Sequence, residues 1–190
     1  EWFAMDHYDV VPDIMTLAKG IASSYIPFGA VAVSAEINAP FEAGEAHFLH
    51  GFTNGGHPLG CAAGSELIDI IRDENLLENC RKQSEVLFSY RDQLLAHPTV
   101  RDVRGWGLMM VLELIKDKES LEFFDSSQQA EKLYSAITLK HGLVMYGSLY
   151  GPRRQAAFRR GIPSWLSPPL TITTEEMHDM VGRLDSALTE

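Results

Sequence analysis

Two short apolar runs, each too brief for an ordinary helix and fenced by proline or glycine, constrain this chain most. Asp13–Ala18 (DIMTLA) lies between Pro12 and Gly20, and Phe28–Ser34 (FGAVAVS) follows a link rich in small residues, Lys19 to Pro27. Unbroken apolar runs of this length predict strands buried on both faces, as in mostly parallel sheets covered by helices. Helical spacing then takes over. Pro58 suits a first helical turn, and Leu59, Ala62, Ala63, Leu67, Ile70 and Ile71 recur at helical period behind it. Leu76–Ala96 predicts one long amphipathic helix.

From Val100 the character changes. Val103-Arg104-Gly105-Trp106-Gly107 reads as a turn leading into a strand at Leu108–Ile115 (LMMVLELI). A helix is expected over 127–140, a strand at Leu143–Tyr146, then a loop with four arginines. Thr173 and Glu176 have the spacing of a capping box ahead of Met177, Met180, Val181, Leu184 and Leu188. Alternating strands and helices make the class α/β, with one domain over residues 1–80 and a smaller α+β domain over 81–190.

The formal charge of −10 at pH 7 leaves no basic stripe to release counterions, which excludes nucleic acid and anionic membranes as partners. No apolar run approaches a membrane span. Cys61 and Cys80 are too few for a disulfide framework and fit a reducing cytoplasm. The seven histidines show no metal-ligand spacing, so no metal is expected, and Cys61 reads as a core residue. A chain that opens at Glu1-Trp2-Phe3-Ala4 in dense apolar sequence is expected to be part of a longer one.

Lys19 stands at the end of the first apolar run, followed by Gly20. Spacing alone makes it a solvated surface charge more readily than a nucleophile, although a lysine in a partly apolar pocket can condense with an aldehyde. The motifs around it are more specific. Phe3-Ala4-Met5-Asp6-His7-Tyr8 through Val11-Pro12-Asp13-Ile14-Met15-Thr16-Leu17-Ala18-Lys19-Gly20, and then Pro27-Phe28-Gly29-Ala30-Val31, resemble the segment around the cofactor lysine of class III pyridoxal-phosphate-dependent aminotransferases. The likeness continues in order through His50-Gly51-Phe52-Thr53 with Gly56-His57-Pro58, Val103-Arg104-Gly105 with Gly107-Leu108-Met109, and Leu166-Ser167-Pro168-Pro169-Leu170-Thr171-Ile172-Thr173.

The resemblance implies the C-terminal portion of a fold type I, omega-transaminase-like enzyme. Residues 1–80 would be part of the large cofactor-binding domain and 81–190 the small domain. It implies that Lys19 holds pyridoxal 5'-phosphate as a Schiff base and moves the substrate proton. Phe52 and Thr53 would reach the cofactor phosphate of the other subunit of a homodimer. The implied substrates are an amine or amino acid and a keto acid such as pyruvate. Several family members bind the substrate carboxylate with an arginine shortly before the Ser-Pro-Pro-Leu stretch. Here Tyr146 occupies the aligned position, and Arg153, Arg154, Arg159 or Arg160 of the following loop is the candidate, against a solvated basic loop as the alternative. Arg104 is expected to be structural. The family's phosphate loop, stacking aromatic and pyridine-nitrogen aspartate precede this segment, and Asp6, Asp9 and Asp13 are misplaced to replace the aspartate. Two other readings therefore stay open: a catalytically incomplete fragment acting as a folding or interaction module, and a mutase, racemase or decarboxylase of the same fold.

Overall fold

A computed structural model describes residues 1–124, 139–147 and 162–190. The chain divides into two compact units, Glu1–Leu77 and Glu78–Glu190. In the first unit β1 (Ile14–Ala18) pairs antiparallel with β2 (Gly29–Val33), with Ile14 opposite Val33 and Ala18 opposite Gly29. The link between them, residues 19–28, is shorter than the dozen or more residues that a parallel crossover requires, so the chain turns back on itself. Parallel pairing, expected from the apolar runs, is absent among the described residues, where every paired strand is antiparallel. Nor is β1 buried on both faces: Met15 and Leu17 are half-buried while Ile14, Thr16 and Ala18 are exposed.

After β2, Ser34 caps α1 (Ala35–Glu42) by accepting a hydrogen bond from the Ile37 N–H. A loop leads to α2 (Pro58–Asp73), which starts on Pro58 as expected. Its buried face is made by Gly60 and Gly64. Only Ala22, Gly60, Gly64 and Leu76 are buried among residues 1–77. This unit therefore holds very little core of its own.

The second unit is different. The expected helix over 76–96 is two helices, α3 (Leu76–Ser89) and α4 (Arg91–Ala96), because Tyr90 donates its backbone N–H to Leu87 rather than continuing the regular ladder. A sheet follows in the order β3-β4-β6-β5, with β3 Val100–Trp106, β4 Met109–Leu114, β5 Tyr146–Gly147 and β6 Ile162–Leu166. Strand β3 occupies the stretch expected to be a turn. The turn itself is only Gly107-Leu108, with Gly107 at φ +60, the glycine-first arrangement of a two-residue hairpin. The expected strand at Leu143–Tyr146 appears later, as β5. The helix expected over 127–140 and the four-arginine loop lie almost wholly outside the described residues.

The last helix, α5 (Thr174–Thr189), has the expected box: Thr173 Oγ1 accepts from the Glu176 N–H at 3.2 Å, and the Glu176 carboxylate accepts from the Thr173 N–H at 2.8 Å. Its Met177, Val181, Leu184 and Leu188 recur at helical spacing and join Met110, Leu112 and Leu114 of β4 and Leu87 and Leu94 of α3 and α4 in one buried core. Polar ties close the unit. Asn79 donates to the Leu170 and Ile172 carbonyls at 2.7 and 3.0 Å, and buried Gln83 donates to Thr174 Oγ1 at 3.0 Å, so α3 fastens the segment that feeds α5.

Candidate active site in the first unit

Ala18 ends β1 and Lys19 begins a 3-10 turn, Lys19–Ala22. Lys19 has φ +56, in the left-handed region, and Ser23 and Ser24 follow at +45 and +59. A left-handed conformation costs a residue with a β-carbon about 1–2 kcal/mol. Three such residues within six positions persist only where the surroundings dictate them, and such strain gathers at functional sites. The turn is closed by backbone hydrogen bonds from Ser23 to Gly20, Ser24 to Lys19 and Tyr25 to Ala22. Lys19 is exposed, and among the described residues its side chain makes no hydrogen bond or ion pair. Nothing lies within 4 Å of a β-carbon built on Gly20. The amine is thus uncommitted and the space beside it open, which suits a lysine that must meet a flat aldehyde.

Phe52 and Thr53 lie in the loop before α2, both exposed. A turn closes there through the Gly55 N–H to the Phe52 carbonyl at 2.9 Å, and Gly56 follows at φ +66. The N-cap of α2, His57, supplies no side-chain hydrogen bond, so the first-turn N–H groups stay available, and the helix dipole favours an anion near them. A cleft of about 690 Å³ adjoins this loop, lined by Leu17, Phe28, Val31, Phe52, Asn54 and His57 among others. Lys19 and Thr53 do not line it.

Arg153, Arg154, Arg159 and Arg160 lie outside the described residues. Arg104 sits within β3 rather than in a turn. It bonds Asp102 at 2.7 Å and Glu113 at 3.0 Å, while Arg101 takes the other Glu113 oxygen at 3.0 Å. The Asp102 hydrogen bond holds its guanidinium above the ordinary value, and with both partners engaged it acts as a strand-to-strand clamp. Cys61 is exposed, contrary to the core reading, because it lies one residue round from the buried Gly60. Among the described residues no group of three or more His, Cys, Asp or Glu side chains could hold a metal ion. Sequence reasoning missed the pairing of Gly60 and Gly64 with Phe28; two glycines four apart on an otherwise regular helix were its signal.

Comparison with solved structures gives this geometry its class. The (S)-enantioselective omega-transaminase of Thermomicrobium roseum superposes with a TM-score of 0.83 at 35% identity over 100% of this chain and 40% of that one. The PMP-bound aminotransferase of Vibrio fluvialis gives 0.81 at 30% identity, again over 100% and 40%. The fold is therefore that of the fold type I, pyridoxal-phosphate-dependent transferases. The family description Aminotransferase class-III matches residues 1–188, and the chain belongs to that family. Among its relatives are putrescine–pyruvate aminotransferase of Pseudomonas aeruginosa, 34% identical over 95% of this chain and 37% of that protein, and diaminobutyrate–2-oxoglutarate transaminase of Halomonas elongata, 34% identical over 98% and 38%. The chain spans 31–39% of the length of such curated relatives. No helix among the described residues is long and apolar enough to cross a membrane.

Proposed function

We propose that the protein carrying this chain is a pyridoxal-phosphate-dependent aminotransferase that moves an amino group from an amine or amino acid to a keto acid such as pyruvate. The observation that carries the reading is Lys19: an exposed amine with no partner among the described residues, on a left-handed turn at a strand end, within a family match that runs nearly the whole chain. Residues 1–77 contribute to the cofactor-binding domain, and the rest forms the small domain.

When bound, the cofactor supplies the electron sink for the bond broken at the substrate α-carbon. Lys19 would hold the cofactor covalently through its Nζ, and its free amine would act as the base that takes the proton from the substrate α-carbon and gives it back. Phe52 and Thr53 serve a second site, in the partner subunit of a homodimer: the Thr53 hydroxyl donates to a phosphate, and the open start of α2 adds N–H groups and a favourable dipole. One of Arg153, Arg154, Arg159 and Arg160 receives the substrate carboxylate through a forked pair of hydrogen bonds. Cytoplasmic residence agrees with two cysteines that are both free.

Borohydride reduction of the cofactor-loaded protein followed by peptide mapping tests the assignment. The expected result is a pyridoxyl group on Lys19. A label on another lysine, or none, overturns it. Adding a keto acid to the aminated form should restore the original absorbance, whereas conversion of substrate without any keto acid would point to an isomerase or decarboxylase.

A further inference from the structure

We propose that Phe28, lodged against Gly60 and Gly64 of α2, is a positioning residue that holds the Lys19 turn in its left-handed shape and so sets where the Lys19 amine stands. The inference rests on the role of Lys19 proposed above. Lys19 and Phe28 are the two ends of one closed loop: Ala18, just before Lys19, pairs with Gly29, just after Phe28. A β-carbon on Gly29 would stand 3.2 Å from the Leu17 carbonyl oxygen, so β1 and β2 lie close together where this loop closes. Fixing Phe28 therefore fixes the far end of the segment that Lys19 opens.

Helix α2 does the fixing. A β-carbon on Gly60 would stand 2.8 Å from Phe28 Cδ2, and one on Gly64 would stand 3.0 Å from Phe28 Cε1 and 3.4 Å from the Ile21 carbonyl oxygen. The ring therefore lies directly on the helix backbone, in space that any side chain would take. Ile21 belongs to the Lys19 turn, and its neighbour Ala22 is 2% exposed. One helix face thus touches both the ring at the end of the loop and the turn at its start. Of the hydrogen bonds across the turn, those from Ser23 and Ser24 are long, 3.3 and 3.4 Å, while that from Tyr25 to Ala22 is an ordinary 3.0 Å, so the packing shares the work of holding three left-handed residues.

The test uses the protein carrying this chain, with Gly64→Ala, Phe28→Leu and the two combined. The added methyl must push on the ring and comes into contact with the Ile21 carbonyl, and leucine in place of the ring makes room for it. Two rates are read at Lys19 from peptide maps: modification by pyridoxal phosphate trapped with borohydride, a reagent that must be oriented, and acylation by acetic anhydride, which need not be. Misplacing an oriented reaction by 1 Å costs about a hundredfold, so the smaller displacement from Gly64→Ala should slow pyridoxal phosphate modification by about tenfold, leave acylation within about twofold, and be largely reversed in the double variant. Loss of stability alone would not separate the two reagents. Modification of folded Gly64→Ala at the wild-type rate, or equal slowing with both reagents, overturns the proposal. Should Gly64→Ala fail to fold, Phe28→Leu decides: slower pyridoxal phosphate modification with normal acylation supports it, and unchanged modification overturns it. A wild-type protein unlabelled at Lys19 sinks the reading on which this one rests, whereas a labelled wild type with indifferent variants sinks only this one.

Discussion

Replacing Lys19 by alanine and by glycine separates the work of the amine from the strain of the backbone that carries it. Both substitutions remove the amine, and neither loses a side-chain partner, since Lys19 is exposed and its side chain makes no hydrogen bond or ion pair among the described residues. Alanine keeps a β-carbon and with it the penalty of φ +56. Glycine escapes that penalty, about 1–2 kcal/mol. Its extra freedom in the unfolded chain offsets about 0.4–1 kcal/mol of the gain. Lys19→Gly should therefore be the more stable of the two by about 0–1.6 kcal/mol, centred near 0.8. Urea unfolding of both variants in the absence of cofactor measures the difference, because a ligand that binds only the native state would add its own stabilisation. With equal m-values, the glycine variant should unfold at higher urea, and neither should be trapped by pyridoxal phosphate at this position. A glycine variant that unfolds at lower urea than the alanine variant refutes the view that residue 19 is strained. A stability gain here alongside lost chemistry would mean that the strain is kept for the site.

Other perturbations probe the rest of the chain. The Asp185 carboxylate is held below its ordinary value, first by the hydrogen bond from His97 at 2.8 Å, so its contribution is present above the unfolded carboxylate value, about pH 4, and is lost as pH falls through the lower folded value; Asp185→Asn should flatten the acid limb of stability against pH, and an unchanged limb would refute the link. Thr173→Ala removes one side of the α5 capping box and should cost about 1 kcal/mol in urea unfolding, with Thr173→Ser close to wild type. Gly105→Ala would place a β-carbon 2.0 Å from the Met109 carbonyl oxygen at φ +152 and should prevent accumulation of folded protein, while Gly182→Ala, with nothing within 4 Å, should stabilise α5 by about 0.5–1 kcal/mol. Soluble yield and thermal midpoint distinguish the two glycines.

Much of the local structure was legible because its causes lie within a few residues. Pro58 and the spacing behind it announce α2, Thr173 and Glu176 announce α5, and the run at Leu108–Ile115 announces β4. Strands β3 and β6 were not legible. Strand β3 carries Arg101, Asp102, Arg104 and Gly105, and β6 contains Pro163; each becomes a strand through pairing with β4, with partners as far apart as Met110 and Leu166. The direction of β1 and β2 was misjudged because apolar content reports burial, whereas the length of the connection decides antiparallel return. Lys19 and Thr53 could be picked out by the order of motifs around them, since order survives without coordinates. The chain by itself thus determined that α2 and α5 are helical and where they begin, and which lysine to suspect. Only the tertiary structure decided that Lys19 is left-handed, that Arg104 is bound up with Asp102 and Glu113, and that Phe28 rests on two glycines thirty-odd residues away. The reason is physical: helix period and capping act between near neighbours, whereas a strained dihedral or an ion-pair clamp exists only when distant segments close around it.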